Sequence, residues 1–152
     1  MLKLSKIMAD VDKWIYSEKV KEHFFKPKNF LADGPKEGEF DASGEVGSFA
    51  CGDIIKMWIK VDKNTDKIKD LKWRTWGCAT AIASASMFSE MIKRGNGITI
   101  DEALKIKPQE IADKLGGLPA RKFHCSILAD QVFKKAVDNY RTKIPKGPSF
   151  GN

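Results

Sequence analysis

A chain of 152 residues with 42% hydrophobic content is long enough to bury a core without disulfides, which excludes a stapled miniprotein. Its three cysteines, an odd number, form no secreted disulfide framework, and the opening MLKLSKIMADVDKWIYSEK alternates charged and apolar residues without a signal-length apolar run, so a cytoplasmic location is expected. The formal charge of +7 would suit a nucleic-acid binder, but the lysines are scattered along nearly every element, with no stripe of interleaved aromatics and no stretch of transmembrane length. They read as a solvated surface suited to acidic protein partners, with no nucleic acid and no membrane.

The chain reads as a single domain over 1–152, with 1–15 as an N-terminal extension and 144–152 as a flexible tail. YSEKVKEHF (16–24) has the pattern of a short amphipathic helix stopped by Pro27, and the glycine-rich, mostly polar segment 28–47 reads as a loop. SFACGDII (48–55) places Cys51 and Asp53 either side of Gly52 at a strand entry, where residues i and i+2 share a face and glycine lets the backbone bend. DIIKMWIKVD then alternates, with Ile55, Met57, Ile59 and Val61 on one face and Lys56, Trp58 and Lys60 on the other. KNTDK is a turn, and IKDLKWRTW continues with Leu71, Trp73 and Thr75 inward, which makes an antiparallel hairpin.

After Gly77 the period becomes helical. CATAIASASMFSEMIKR carries Ile82, Ala83, Ser86, Met87 and Met91 near helical spacing and ends at Gly95. Thr99 with Glu102 fits a capping box, Pro108 suits the first turn of a helix ending at Gly116, and Leu128, Ala129, Val132, Ala136 and Tyr140 form one stripe of a long helix over 124–143. Helices thus follow strands in bulk. The expected class is α+β, a small antiparallel sheet of about three strands with helices on one face and a long C-terminal helix.

Cys78 and Cys125 both stand at predicted helix starts, where the helix dipole and unpaired N–H groups favour thiolate; Arg121 and Lys122 add positive charge beside Cys125. Such thiols suit reactive or metal-binding chemistry better than packing. The cysteines are 27 and 47 residues apart (51 to 78, 78 to 125), unlike the close C-x-x-C pairs of a zinc knuckle, so the fold itself must gather them. Neighbours on a helix diverge by about 100°, which makes His124 a poor base for Cys125 and a better ligand. Three thiolates with one carboxylate or imidazole suit zinc or an iron–sulfur cluster. His23 receives no role.

ACGD at the first strand, TWGCATAIASAS, and LPARKFHCS before the terminal helix closely resemble the U-type iron–sulfur scaffold family, IscU and the N-terminal domain of NifU, over about Tyr16 to Tyr140. The resemblance implies a scaffold, not an enzyme. It would accept sulfur from a cysteine desulfurase, draw on an iron donor and a ferredoxin-type reductant, assemble a [2Fe-2S] cluster, and pass it to apo-proteins. By the family pattern Cys51, Cys78 and Cys125 are ligands, Asp53 is the conditional fourth ligand that governs release, His124 and Lys122 line the site, and Cys125 accepts sulfur. One hard carboxylate among soft thiolates gives the cluster a weak point. Residues 118–122 read LPARK where members served by a dedicated Hsp70-type chaperone carry LPPVK, which argues against such a chaperone. The zinc-dependent SufU relatives carry an insertion between the second and third cysteines and lack the histidine. A zinc-dependent sulfurtransferase of that kind and a zinc-stabilised (Zn2+) binding module are the alternatives.

Overall fold

The computed structural model describes residues 16–48 and 52–143. Helix α1 (Glu18–Phe25) begins where the Ser17 hydroxyl accepts from the Val20 N–H, and it closes at Lys26, because a residue preceding proline is driven out of the helical region. Strands β1 (Ala42–Ser48), β2 (Asp53–Val61) and β3 (Ile68–Trp76) form one antiparallel sheet in the order β1-β2-β3. Across it, Met57 stands opposite Gly44 and Trp73, and Ile59 opposite Ala42 and Leu71.

The segment expected to be a loop therefore contains a strand. ASGEVGS has little side chain to announce itself; β1 exists because β2 supplies its hydrogen bonds and the last helix lies almost on its backbone. A Cβ built on Gly44 would meet the Ala136 nitrogen at 2.6 Å and the Val132 oxygen at 2.8 Å. Ile55, Met57, Ile59, Val61, Leu71 and Trp73 line the inner face as expected, whereas Thr75, at the sheet's end, is only half-buried. Trp58 is on the outer face yet is also buried, because Gly34 and the Arg74 guanidinium lie against its ring.

Helix α2 (Ala79–Lys93) departs from a single apolar stripe. It is buried almost all round, packed against β3, α1 and the final helix, and its alanines and serines are what let three neighbours approach. Short helices α3 (Ile100–Leu104), with the Thr99–Glu102 capping box, and α4 (Pro108–Lys114), with proline in its first turn, follow. A 3-10 turn (Ala120–Lys122) leads into α5 (His124–Lys143). Phe88 of α2 and Phe133 of α5 meet edge to face at 5.3 Å, both fully buried. Truncating either to alanine costs about 3–5 kcal/mol. Among the described residues no helix is long and apolar enough to cross a membrane.

Candidate metal and sulfur site

The site forms where the start of β2, the start of α2 and the start of α5 come together. Cys78 is the N-cap of α2, and its backbone N–H donates to Asp53 Oδ1 at 2.9 Å. Gly77 makes that possible, since a Cβ there would lie 2.5 Å from Oδ1. Asp53 is buried, and its other oxygen, Oδ2, is 3.7 Å from Cys78 Sγ, 3.7 Å from Cys125 Sγ and 3.5 Å from His124 Nε2. The two sulfurs are 3.8 Å apart. His124 Nε2 also lies 3.6 Å from Cys125 Sγ, so the expected divergence of neighbouring helix positions does not separate them. At the first turn of α5 the ring reaches back over the sulfur.

Four of the five expected ligands thus converge: Asp53, Cys78, His124 and Cys125. Cys51 lies outside the described residues. β2 begins at Asp53, and Gly52 before it has a φ of +74°, a backbone bend that glycine takes readily. Lys122 stands in the 3-10 turn before α5, and its ammonium acts on the buried Tyr16 phenol. Tyr16 keeps its proton, because burial raises its pKa more than Lys122 lowers it.

The expectation that both helix-start thiols are acidified holds for one of them. Cys78 is held down to about 5, first by the hydrogen bond from Cys125 and with help from Thr80. Cys125 is pushed up, first by the same pairing and then by burial. The helix dipole favours thiolate at both, but two sulfurs in contact share one proton, and it stays on the fully buried member. The half-exposed Cys78 is the thiolate.

Two contributors were not marked by sequence reasoning. Thr80 Oγ1 is 3.0 Å from Cys78 Sγ and 3.4 Å from Cys125 Sγ, and Tyr16 is hydrogen bonded to Thr80. Thr80 hid among the small residues of an alanine- and serine-rich helix; its spacing of two from a helix-capping cysteine was the available signal.

The family model described as the NifU-like N terminal domain matches residues 15–146. The chain belongs to this family. It is 48% identical over 130 residues to the nitrogen fixation protein NifU of Trichormus azollae, covering 84% of this chain and 42% of that protein. The chain thus spans well under half of that relative. It is 45% identical over 132 residues to the iron-sulfur cluster assembly scaffold protein IscU 1 of Archaeoglobus fulgidus, covering 87% of this chain and 80% of the relative. With the mitochondrial iron sulfur cluster assembly protein 1 of Debaryomyces hansenii the identity is 43% over 145 residues, covering 95% and 78%. Among solved structures, the N-terminal NifU-like protein of Brucella abortus shares the fold at a TM-score of 0.61 and 18% identity, over 86% of this chain and 96% of that one.

Proposed function

We propose that this NifU-like domain is an assembly scaffold for iron–sulfur clusters. It takes sulfur from a cysteine desulfurase, iron from an iron donor and electrons from a ferredoxin-type reductant, builds a [2Fe-2S] cluster as cargo, and hands it to apo-proteins. The observation that carries this reading is the convergence of three chain segments: Asp53 lies 3.5–3.7 Å from Cys78, His124 and Cys125, and Cys125 lies 3.6–3.8 Å from His124 and Cys78. Relatives of high identity are named as scaffolds of iron–sulfur assembly, which supports the same reading. Soft sulfur ligands with one hard oxygen suit a cargo that must be released.

Cys78 and Cys125, with Cys51 as the third thiolate, hold the cargo in this proposal. Asp53 is the exchangeable ligand, and His124 and Lys122 line the site. Cys125 is the sulfur acceptor by family resemblance, and its sulfur is fully buried. Sulfur delivery to it therefore requires the donor to uncover α5 at its first turn. Cys78, as the accessible thiolate, is the group an incoming electrophilic sulfur meets first. LPARK at 118–122 supports operation without a dedicated Hsp70-type chaperone.

One observation favours a second reading, zinc in a sulfurtransferase of the SufU kind. A tetrahedral ion with bonds of about 2.0–2.3 Å has ligand-to-ligand edges of roughly 3.3–3.8 Å, and the donor atoms of Asp53, His124 and Cys125, at 3.5–3.7 Å from one another, already meet that spacing on one face. The two readings part on cargo. A scaffold loaded with iron and sulfur transfers a cluster to apo-ferredoxin, whereas the zinc protein keeps its metal and raises desulfurase turnover. Transfer, followed by the ferredoxin's own visible spectrum, is the test; zinc retention with faster desulfuration and no transfer would replace the first reading by the second.

A further inference from the structure

The hydroxyl of Thr80 sits where the two sulfurs meet. Thr80 is fully buried, at the second residue of α2, and its β-branched side chain has few rotamers to choose from. Its oxygen lies 3.0 Å from Cys78 Sγ and 3.4 Å from Cys125 Sγ, and the Tyr16 phenol is its further partner. A buried hydroxyl has one proton to give and two lone pairs to fill. A ligating thiolate sulfur can only accept, so at 3.0 Å it draws the single Thr80 proton.

We propose that Thr80 is a positioning residue of the cargo site, donating its hydroxyl hydrogen to Cys78 Sγ so that the two thiolates bind metal unequally. The inference rests on the scaffold reading above only in taking these sulfurs as metal ligands. A thiolate is a stronger acceptor than a thiol, so a Cys78 sulfur that ligates metal remains an acceptor for this hydrogen. Cys78 is the nearer sulfur and receives the proton; Cys125, at the longer distance, does not. Hydrogen bonds to ligand sulfur lower its electron density and tune the metal it binds. In a carrier, that inequality marks the ligand that gives way more easily.

Cobalt(II) is the probe, because its thiolate charge-transfer absorption reports the energy of the sulfur lone pairs. The full chain would be loaded with cobalt(II) anaerobically as the parent, Thr80→Val and Thr80→Ser. Valine keeps the shape and removes the donor, so its charge-transfer band moves to longer wavelength; serine keeps the donor and holds the parent position. A valine band at the parent position, or a serine band displaced as far as valine's, overturns the proposal while leaving the scaffold reading intact. Should Thr80→Val fail to fold by circular dichroism, Thr80→Ala and Thr80→Ser decide in the same way, since both lack the methyl group and differ in the hydroxyl alone. A parent chain with no sulfur-to-cobalt band overturns the metal site itself, and this inference with it.

Discussion

The backbone N–H of Cys78 holds Asp53 Oδ1 at 2.9 Å, which turns Oδ2 toward the sulfurs of Cys78 and Cys125. One proposed ligand is thereby anchored through the peptide group of another. A peptide group thus fixes the direction of the carboxylate, an arrangement suited to the exchangeable ligand proposed above.

Gly77→Ala breaks that anchor without touching a donor atom. The new Cβ falls 2.5 Å from Asp53 Oδ1 and 3.1 Å from Ala81 Cβ, so the carboxylate must swing away. Zinc affinity should fall by about tenfold or more, and the metal-free fold should lose about 1–3 kcal/mol. A competing chelator measures the first and urea unfolding the second. Unchanged affinity would show that Asp53 does not ligate.

Asp53→Ala separates release from assembly. The variant should still bind iron and sulfide, keep its cluster longer in air, and transfer it more slowly to apo-ferredoxin. Both rates come from absorbance on one reconstituted sample. A variant that loses its cluster faster and transfers at the parent rate would make Asp53 an ordinary stabilising ligand.

Thiol reactivity should follow the shared proton. In the metal-free chain, iodoacetamide should label Cys78 before Cys125, because only thiolate attacks, and its rate should fall as pH drops toward 5. Cys125→Ser removes the strongest cause of that acidity and should move the midpoint to higher pH. Peptide mapping by mass spectrometry gives both sites. Faster labelling of Cys125 in the parent would contradict the assignment. Treatment with a cysteine desulfurase then tests the separate proposal for Cys125: its persulfide should be found there, and sulfur confined to Cys51 or Cys78 would count against it.

His23 links stability to pH. It is fully buried, bonded through Nδ1 to Ser86 Oγ at 2.7 Å, with Glu90 3.9 Å from Nε2. Burial lowers its pKa, only partly offset by Glu90. The folded chain thus keeps His23 neutral while the unfolded chain takes up a proton near pH 6.5. Unfolded protein binds more protons below that pH, so stability should drop as pH falls from about 6.5 toward the folded value and be unaffected by this group above it. Urea midpoints of the metal-free chain at pH 5.5 and 7.5, compared with His23→Gln, would show it. An equal drop in the variant would assign the effect elsewhere.

The sequence made the hairpin, the capped helices and the final helix legible, because alternation in 53–61, the Thr99–Glu102 pair and Pro108 are local signals. It also made Asp53, Cys78, His124 and Cys125 legible as chemistry. What it hid depends on tertiary contact. β1 is a strand because β2 and α5 require one, and ASGEVGS carries only Val46 as a β-branched residue. His23, given no role, is defined by Ser86, 63 residues away. The proton on Cys125 depends on its 3.8 Å approach to Cys78, which no helix-start rule contains.

Metal should stabilise the fold, since it ties three distant segments together. Zinc at a hundred times its dissociation constant adds about 2.7 kcal/mol, or roughly 5–10 °C in a chain of this size. Differential scanning calorimetry with and without chelator measures it; equal melting temperatures would mean that the donors share no ion.

Anaerobic reconstitution with ferrous iron, cysteine, a desulfurase and dithiothreitol as reductant, read by visible absorption, tests the central claim most directly. The parent chain should develop sulfur-to-iron charge-transfer bands, and Cys78→Ser and Cys125→Ser should each lose them. A parent that stays colourless while retaining zinc and speeding the desulfurase, or cysteine variants that colour as fully as the parent, would contradict the account.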